Sequence, residues 1–499
     1  MKLLVAIANY GQKNDAYLRR VLSEYRSMSY QTDLIVLSNV DKDLGKDVKV
    51  VTGTPTRNPH SLPFGHKRVF AARKDAYDLF IYTEDDILIT QRNIEAFLQA
   101  TSVLGQQELA GFFRWEHYPD GRRFYPDVHV FYRWLPGSVK MVGDRAFARF
   151  TNDHSGCFAL TRSQLARAIE SGGFLVPPHE GRFSLLETAA TDPYTQCGFN
   201  KVICLSRFDD FLVHHLPNKY IGSALGVDAP ELLRQMERLL DRHQGPFATP
   251  SLLEPQTKTF HSRWSKNYYE RCRDDLIGMY PSDTTTVLSI GCGWGETEAG
   301  FARNGIKVTA IPLDPVIAAC AESRGVEVVC GDLDSAVKQL RGRRFDGVLM
   351  SGILHLLREP EKALSQASSL LSECGTLVAT IPAFRRLPVL WERLNHPSRY
   401  RGLGDFERSG IRPITRRVAK AWFDKAGLAV DRISSTIPKR WSGVAGVSGG
   451  VANALLASEY ALVGRRTGGR RKEASPPTVA RQSHTESDVT CIADRSATE

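Results

Sequence analysis

The sequence predicts two successive α/β domains, each built on a mostly parallel sheet, followed by a polar tail without a fold of its own. Three observations carry this. Short continuous apolar runs alternate with helical periodicities in both halves of the chain, which is how strands buried on two faces and their covering helices read. Between the halves, Pro246, Pro250 and Pro255 crowd one short stretch and mark an extended connection. After Arg465 aromatic residues vanish and Ser, Thr, Arg, Gly and Pro dominate, a composition that buries too little apolar surface to order itself. The 499 residues are roughly three times the ~150-residue prior for one domain, so there is chain enough for two cores.

Taken in order, KLLVAIA at 2–8 is a continuous apolar run, broken by Asn9, Tyr10 and Gly11. A helix from Asp15 follows, with Leu18, Val21, Leu22 and Tyr25 at helical spacing. Strand runs at 33–37 and 48–51 come next, then a helical HKRVFAARKDAYD and a strand LFIYT. Thr161 and Gln164 have the form of a capping box opening a helix that Gly172-Gly173 closes. The helix ELLRQMERLLDRH presents Leu232, Leu233, Met236, Leu239 and Leu240 on one face before the prolines. In the second half VLSI, VTAI, VEVV, GVLM and TLVATI read as strands separated by helical segments. The expected boundaries are a first domain at 1–228, a helix and Pro-rich linker at 229–262, a second domain at 263–464 and a disordered tail at 465–499.

Lysine and arginine exceed aspartate and glutamate by ten, a mild excess suited to anionic small molecules or a membrane surface, with RRTGGRRK in the tail able to touch the latter. No recognised DNA- or RNA-binding module is present, and a nucleic-acid partner is not expected. Nine cysteines without a C-x-x-C pair argue against a zinc site and for scattered thiols in a reducing cytoplasm. No apolar run approaches the ~18 residues of a spanning helix, so a soluble, cytoplasmic protein is expected.

Two motifs carry chemistry. In VLSIGCGWGETEAG a buried strand runs into Gly291, Gly293 and Gly295 and then a helix, the arrangement that lets backbone approach a ligand closely. Glu298 stands where a dinucleotide fingerprint wants its third glycine, which disfavours NAD. In LFIYTEDDILIT a strand delivers Glu84, Asp85 and Asp86 together, and adjacent acids repel unless a cation such as Mg²⁺ or Mn²⁺ neutralises them.

From about Trp264 to Gly464 the chain resembles the class I S-adenosylmethionine-dependent methyltransferases, whose fold is Rossmann-like. GDLDS places Asp332 where that family contacts the adenine, FDGVLMSGILHLLREPEKAL places His355 as a candidate base, and CGTLVATIP and TRRVAKAWFDKAGL resemble the fifth strand and late helix. The resemblance implies S-adenosyl-L-methionine held by Gly291, Gly293 and Gly295. It departs at two places: Ser289 stands where the family has an acid, and Pro312 where an acid holds the ribose. Asp314, two residues on, is the expected substitute.

The region from Lys2 to about Val227 resembles GT-A-fold glycosyltransferases, its E-D-D run being similar to that of inverting N-acetylglucosaminyltransferases. The resemblance implies that Ala8, Asn9 and Tyr10 hold the nucleobase and that Lys67 and Arg68, beside His66, reach phosphate. It further implies that Glu84 and Asp85 act on the donor ribose and metal waters, that Asp86 ligates the metal, and that Gly156 in DHSGCFALTRSQL lets the sugar approach. Glu187 or Asp192 would take the acceptor's proton, and one of His214 and His215 would join the metal, since successive strand residues face opposite ways. The aromatic and basic GFFRWEHYPDGRRFYPDVHVFYRW reads either as a sugar-stacking surface or as a packed hairpin with a PDG turn. The expected function is therefore double: metal-dependent sugar transfer from a nucleotide donor and methylation of a glycan-type acceptor. Two alternatives stand beside it: a methyltransferase with a glycan-binding or inactive first half, and a glycosyltransferase with a vestigial second half.

Overall fold

The computed structural model describes residues 1–242, 250–438 and 455–466. The chain divides into two units, Met1–Phe247 and Ala248–Glu499. The expected tail beyond Arg466, with the rest of RRTGGRRK and Cys491, lies outside the described residues, as does Pro246 in the connection; Arg465 and Arg466 belong instead to the last strand.

In the first unit the strand Lys2–Asn9 sits at the centre of a five-stranded sheet, and its unbroken apolar sequence is the reason: both faces are covered. Gln31–Ser38 and then Val48–Thr52 add to one side in parallel. Leu79–Glu84 pairs in parallel on the other, and Cys157–Thr161 closes that edge antiparallel. The helix Asp15–Ser27 buries Leu18, Val21, Leu22 and Tyr25, the face read from spacing. Thr161 and Gln164 do form a capping box, on the helix Arg162–Glu170. The helix expected over 66–78 is shorter, Gly65–Ala71, because Lys74, Asp75 and Ala76 are all exposed and give it nothing to pack. The PDG segment is a hairpin, Phe113–His117 against Arg123–Tyr125, and Phe113, Phe124, Tyr125 and Trp134 are buried in packing. In the same small sheet Leu212–His215 runs parallel to Phe113–His117 and places His215 opposite Ile87.

The second unit is one seven-stranded sheet. Counting its strands from Thr286–Cys292, their spatial order is 3-2-1-4-5-7-6, with the last strand, Glu459–Arg466, antiparallel to its neighbours. The order reverses between the first strand and Phe345–Met350, so a crevice opens at their carboxyl ends, where open α/β sheets take ligands. Among the described residues no helix is long and apolar enough to cross a membrane.

Candidate functional site

In the first unit the three adjacent acids splay toward three different partners. Glu84 turns to His154, with Oε1 3.5 Å from Nε2. Asp85 accepts the side-chain amides of Asn9 and Asn14 at 2.7 and 2.9 Å. Asp86 faces His215 Nε2 at 3.4 Å, and the other ring nitrogen of His215 is 2.6 Å from Glu116. Burial, then the charge of Asp86, pushes the Asp85 carboxyl up to about 7. Burial works against the charge on Asp86, but His215 outweighs it and holds that carboxyl below the usual range. Burial likewise opposes charge on His215, and its two carboxylates overcome it and raise the imidazole. Donors from distant segments thus meet each of the three acids, while the charge of Asp86 still bears on Asp85.

The expected metal set is divided between two faces. Asp86 and His215 already neutralise each other, and His214 points to the opposite face, stacked on Trp115 at 4.7 Å and bonded to Asn218 at 3.1 Å. Among the described residues no group of three or more His, Cys, Asp or Glu is arranged to hold a metal ion. Of the expected ligands the described residues bring only Asp86 and His215 together, so a divalent ion there is not supported.

The expected phosphate and base residues are also redistributed. Lys67 and Asp192 form an ion pair with each other, both almost fully buried, so neither faces a ligand. His66 is packed among Phe70, Tyr82, Phe158 and Phe174, with burial pushing it down to about 3, while Arg68 lies exposed on the same short helix. Glu187 closes a capping box with Ser184 and turns its other oxygen toward His154, 4.0 Å away. Ala8 and Asn9 are buried at the strand end, Tyr10 is 55% exposed, and Gly156, at φ 65°, lies close enough to Glu84 that a side chain would crowd its carboxylate. Asn14, Glu116 and His154 complete this polar cluster. No local pattern flags them, since each acts through a partner distant in sequence.

In the second unit an open pocket lies against the glycine turn, lined by Ser289–Gly291, Gly293–Glu298, Leu349 and Ser351 and by Lys266–Tyr268 and Glu270. The glycines are needed for different reasons. Gly291 and Gly295 have φ of 89° and 92°, open to glycine with little strain. Gly293 has no room for a Cβ, because the Tyr268 carbonyl presses on it and accepts the Trp294 amide at 2.9 Å. The Trp294 indole donates to the Glu270 carbonyl at 2.7 Å, so the 266–270 segment is strapped over the turn.

Charges in the pocket are mostly balanced. Lys266 pairs with Glu270 at 2.8 Å and Arg324 with Glu296 at 3.0 Å. Glu298, 5% exposed, accepts the Ser289 hydroxyl at 2.6 Å and has no cation partner among the described residues. Ser289, which stands where an acid was expected, therefore brings a carboxylate from the following helix to the same place. Ser351 Oγ, at the end of the fourth strand, is buried and makes no hydrogen bond among the described residues.

Three expected residues take other roles. Asp314 is 2% exposed, accepts the Val316 and Ile317 amides at 2.8 and 2.9 Å, and closes a turn outside the pocket lining. Asp332 caps the helix Leu333–Gln339 by accepting the Ser335 amide at 2.7 Å. His355 donates from Nε2 to the Trp264 carbonyl at 2.7 Å and is pushed down to about 4 by burial, a packed imidazole away from the lining.

Residues 288–379 match the family model described as a methyltransferase domain. Proteins described as uncharacterized methyltransferases, from Mycobacterium tuberculosis H37Rv and from Mycobacterium bovis, are each 32% identical over 117 residues, 23% of this chain. The chain spans 58% of the length of these relatives. Among solved structures, an S-adenosylmethionine-dependent methyltransferase from Archaeoglobus fulgidus is similar at 19% identity, covering 38% of this chain and 94% of that one, with a TM-score of 0.29. The N-methyltransferase NodS from Bradyrhizobium japonicum, in complex with S-adenosyl-L-homocysteine, is similar at 15% identity, covering 39% and 84%, with a TM-score of 0.28. The sequence match to the methyltransferase domain falls on the strands and glycine turn that line the pocket, while the 266–270 strap lies outside it.

Proposed function

We propose that the second unit binds S-adenosyl-L-methionine in the pocket beside Gly291–Gly295 and transfers its methyl group to a small acceptor. The observation that carries this reading is the uncompensated carboxylate of Glu298, fixed by Ser289 at the end of the first strand and within a region matching a methyltransferase domain. When bound, the cofactor supplies an electrophilic methyl on a cationic sulfonium, together with a zwitterionic amino-acid end. Glu298 and the Ser351 hydroxyl, without a partner among the described residues, suit the cationic groups, and the Lys266–Glu270 pair offers one charge of each sign. No proton step is assigned to His355, which lies outside the pocket lining with its Nε2 held by the Trp264 carbonyl. What the protein contributes is orientation, and much of the rate in such a transfer comes from alignment.

The test is calorimetric titration of the full chain with S-adenosylmethionine and S-adenosylhomocysteine, alongside thermal denaturation. A ligand at a hundredfold excess over Kd adds about 2.7 kcal/mol to the stability of the unit it binds. Failure of both ligands to bind or stabilise defeats the proposal.

For the first unit a second reading is supported by its polar cluster at the carboxyl ends of the sheet, where Glu84, His154 and Glu187 meet. It is sugar transfer from a nucleotide donor, with Glu187 as proton acceptor, His154 beside it and no step assigned to a metal. Stabilisation by UDP or GDP, measured with and without Mn²⁺, tests it, and no shift under any of these conditions refutes it. A glycan-type acceptor shared by both units would gain from their joining, because tethering raises the effective concentration of one product at the next site.

A further inference from the structure

The helix Leu387–Asn395 leaves an apolar ridge uncovered. Leu387, Leu390, Trp391 and Leu394 are 47, 36, 67 and 82% exposed and follow the i, i+3, i+4, i+7 spacing of one helix face. Scattered exposed apolar residues are ordinary, but four at helical spacing on one short helix form a patch. The opposite face anchors the helix: Val389 is buried, and Glu392 is held by Arg263, by Arg399 at 3.2 Å and by the Tyr400 hydroxyl at 3.0 Å. The acid of this helix is thereby turned inward. Arg385, two residues before the helix, Arg393 on it, and Arg401, six residues past its end, are exposed and have no carboxylate partner among the described residues.

We propose that this helix docks on an anionic phospholipid surface, its leucines and Trp391 entering the acyl boundary and the three arginines lying among the headgroups. A protruding ridge of Leu and Trp, short of the length that spans a bilayer and edged by unpaired guanidinium groups, has the pattern of an interfacial helix. The lipid phosphates answer the unpaired positive charges, as a second copy of this arginine-edged face would not. Docking of this kind is independent of methyl transfer.

The experiment is co-sedimentation of the full chain with vesicles of phosphatidylcholine alone and of phosphatidylcholine with an equal part of phosphatidylglycerol. Binding is expected to the anionic vesicles, weakening with salt. The double variant Trp391→Ser/Leu394→Ser, its folding checked by an unchanged melting temperature, is expected to bind about tenfold more weakly or worse. Arg385→Gln/Arg393→Gln is expected to bind more weakly with a flatter salt dependence. Absence of wild-type binding to anionic vesicles overturns the proposal. So does equal binding by wild type and the apolar variant, which assigns the contact elsewhere in the chain. A dimeric wild type that becomes monomeric in the apolar variant, with no vesicle binding, also overturns it and makes the ridge a contact between copies.

Discussion

Replacing Lys67 by Met separates a structural pair from a working acid. Lys67 and Asp192 are 2 and 0% exposed, and beyond Lys67 the Asp192 carboxylate meets His179 at 3.4 Å and the Thr195 hydroxyl at 3.3 Å among the described residues. Burial disfavours both charges, pushing the Asp192 carboxyl up and the Lys67 ammonium down, and their mutual attraction opposes this. Removing the ammonium leaves a carboxylate stranded in the interior, a loss of about 3–5 kcal/mol. In a unit of this size each kcal/mol moves the melting temperature by about 2–4 °C, so a fall of about 6–20 °C in the first unit's transition is expected. The double variant Lys67→Met/Asp192→Asn removes the stranded charge and should recover most of that loss. The cost of the single variant should also shrink as pH falls, because its Asp192, titrating well above an ordinary carboxyl, becomes neutral. Scanning calorimetry of wild type, both single variants and the double variant measures all of this. A double variant no more stable than Lys67→Met, or a cost below about 1 kcal/mol that ignores pH, would refute the argument and return Asp192 to the list of candidate bases.

Three further outcomes are expected in the second unit. Gly293→Ala drives a methyl against the Tyr268 carbonyl, so it should cost about 1–3 kcal/mol by overpacking and weaken S-adenosylhomocysteine binding by displacing the strap, read by calorimetry. Glu298→Gln keeps the shape and the Ser289 contact but removes the charge; a loss of about 1.5–3 kcal/mol in binding is expected, greater for cationic S-adenosylmethionine than for S-adenosylhomocysteine, and equal affinities would reject its role. His355, neutral when folded at about 4 against 6.5 unfolded, makes stability fall as pH drops through 6.5 toward 4, by at most about 3 kcal/mol; His355→Gln should flatten that part of the pH–stability curve, measured by denaturant melts.

Much of the fold was legible because it rests on local periodicity. The central strand at Lys2–Asn9, the buried face of Asp15–Ser27 and the capping box at Thr161 each follow from spacing within a dozen residues. Where the reading ran too long, as in the helix past Ala71, the sequence kept helical composition but the structure offered no surface for it to bury. The strand order of the second unit was not legible from periodicity. It depends on which strands meet across the sheet, including the antiparallel insertion of Glu459–Arg466 between strands that precede it in the chain.

The sites divide along the same line, and the division has a physical basis. The glycine turn was readable because backbone geometry is set locally: Gly291 and Gly295 need positive φ whatever lies around them. A charged side chain is different, since its state depends on what the fold sets against it. Glu84, Asp85 and Asp86 look in sequence like one cluster wanting one cation, yet His154, Asn9, Asn14 and His215 come from three other segments and take the acids separately. Asp192, read as a base, meets Lys67 from 125 residues away. In the second unit the missing strand acid at Ser289 argued against a cofactor site, and nine residues later Glu298 returns the charge through a hydrogen bond that spacing alone does not reveal. In both units the residue types named the available chemistry, but the partner, fixed by tertiary structure, decided whether each charge was spent on the fold or left facing a ligand. By that criterion Glu298 is the acid of the second unit's pocket lining without a cation partner among the described residues, and its removal is the substitution that bears most directly on the proposed function.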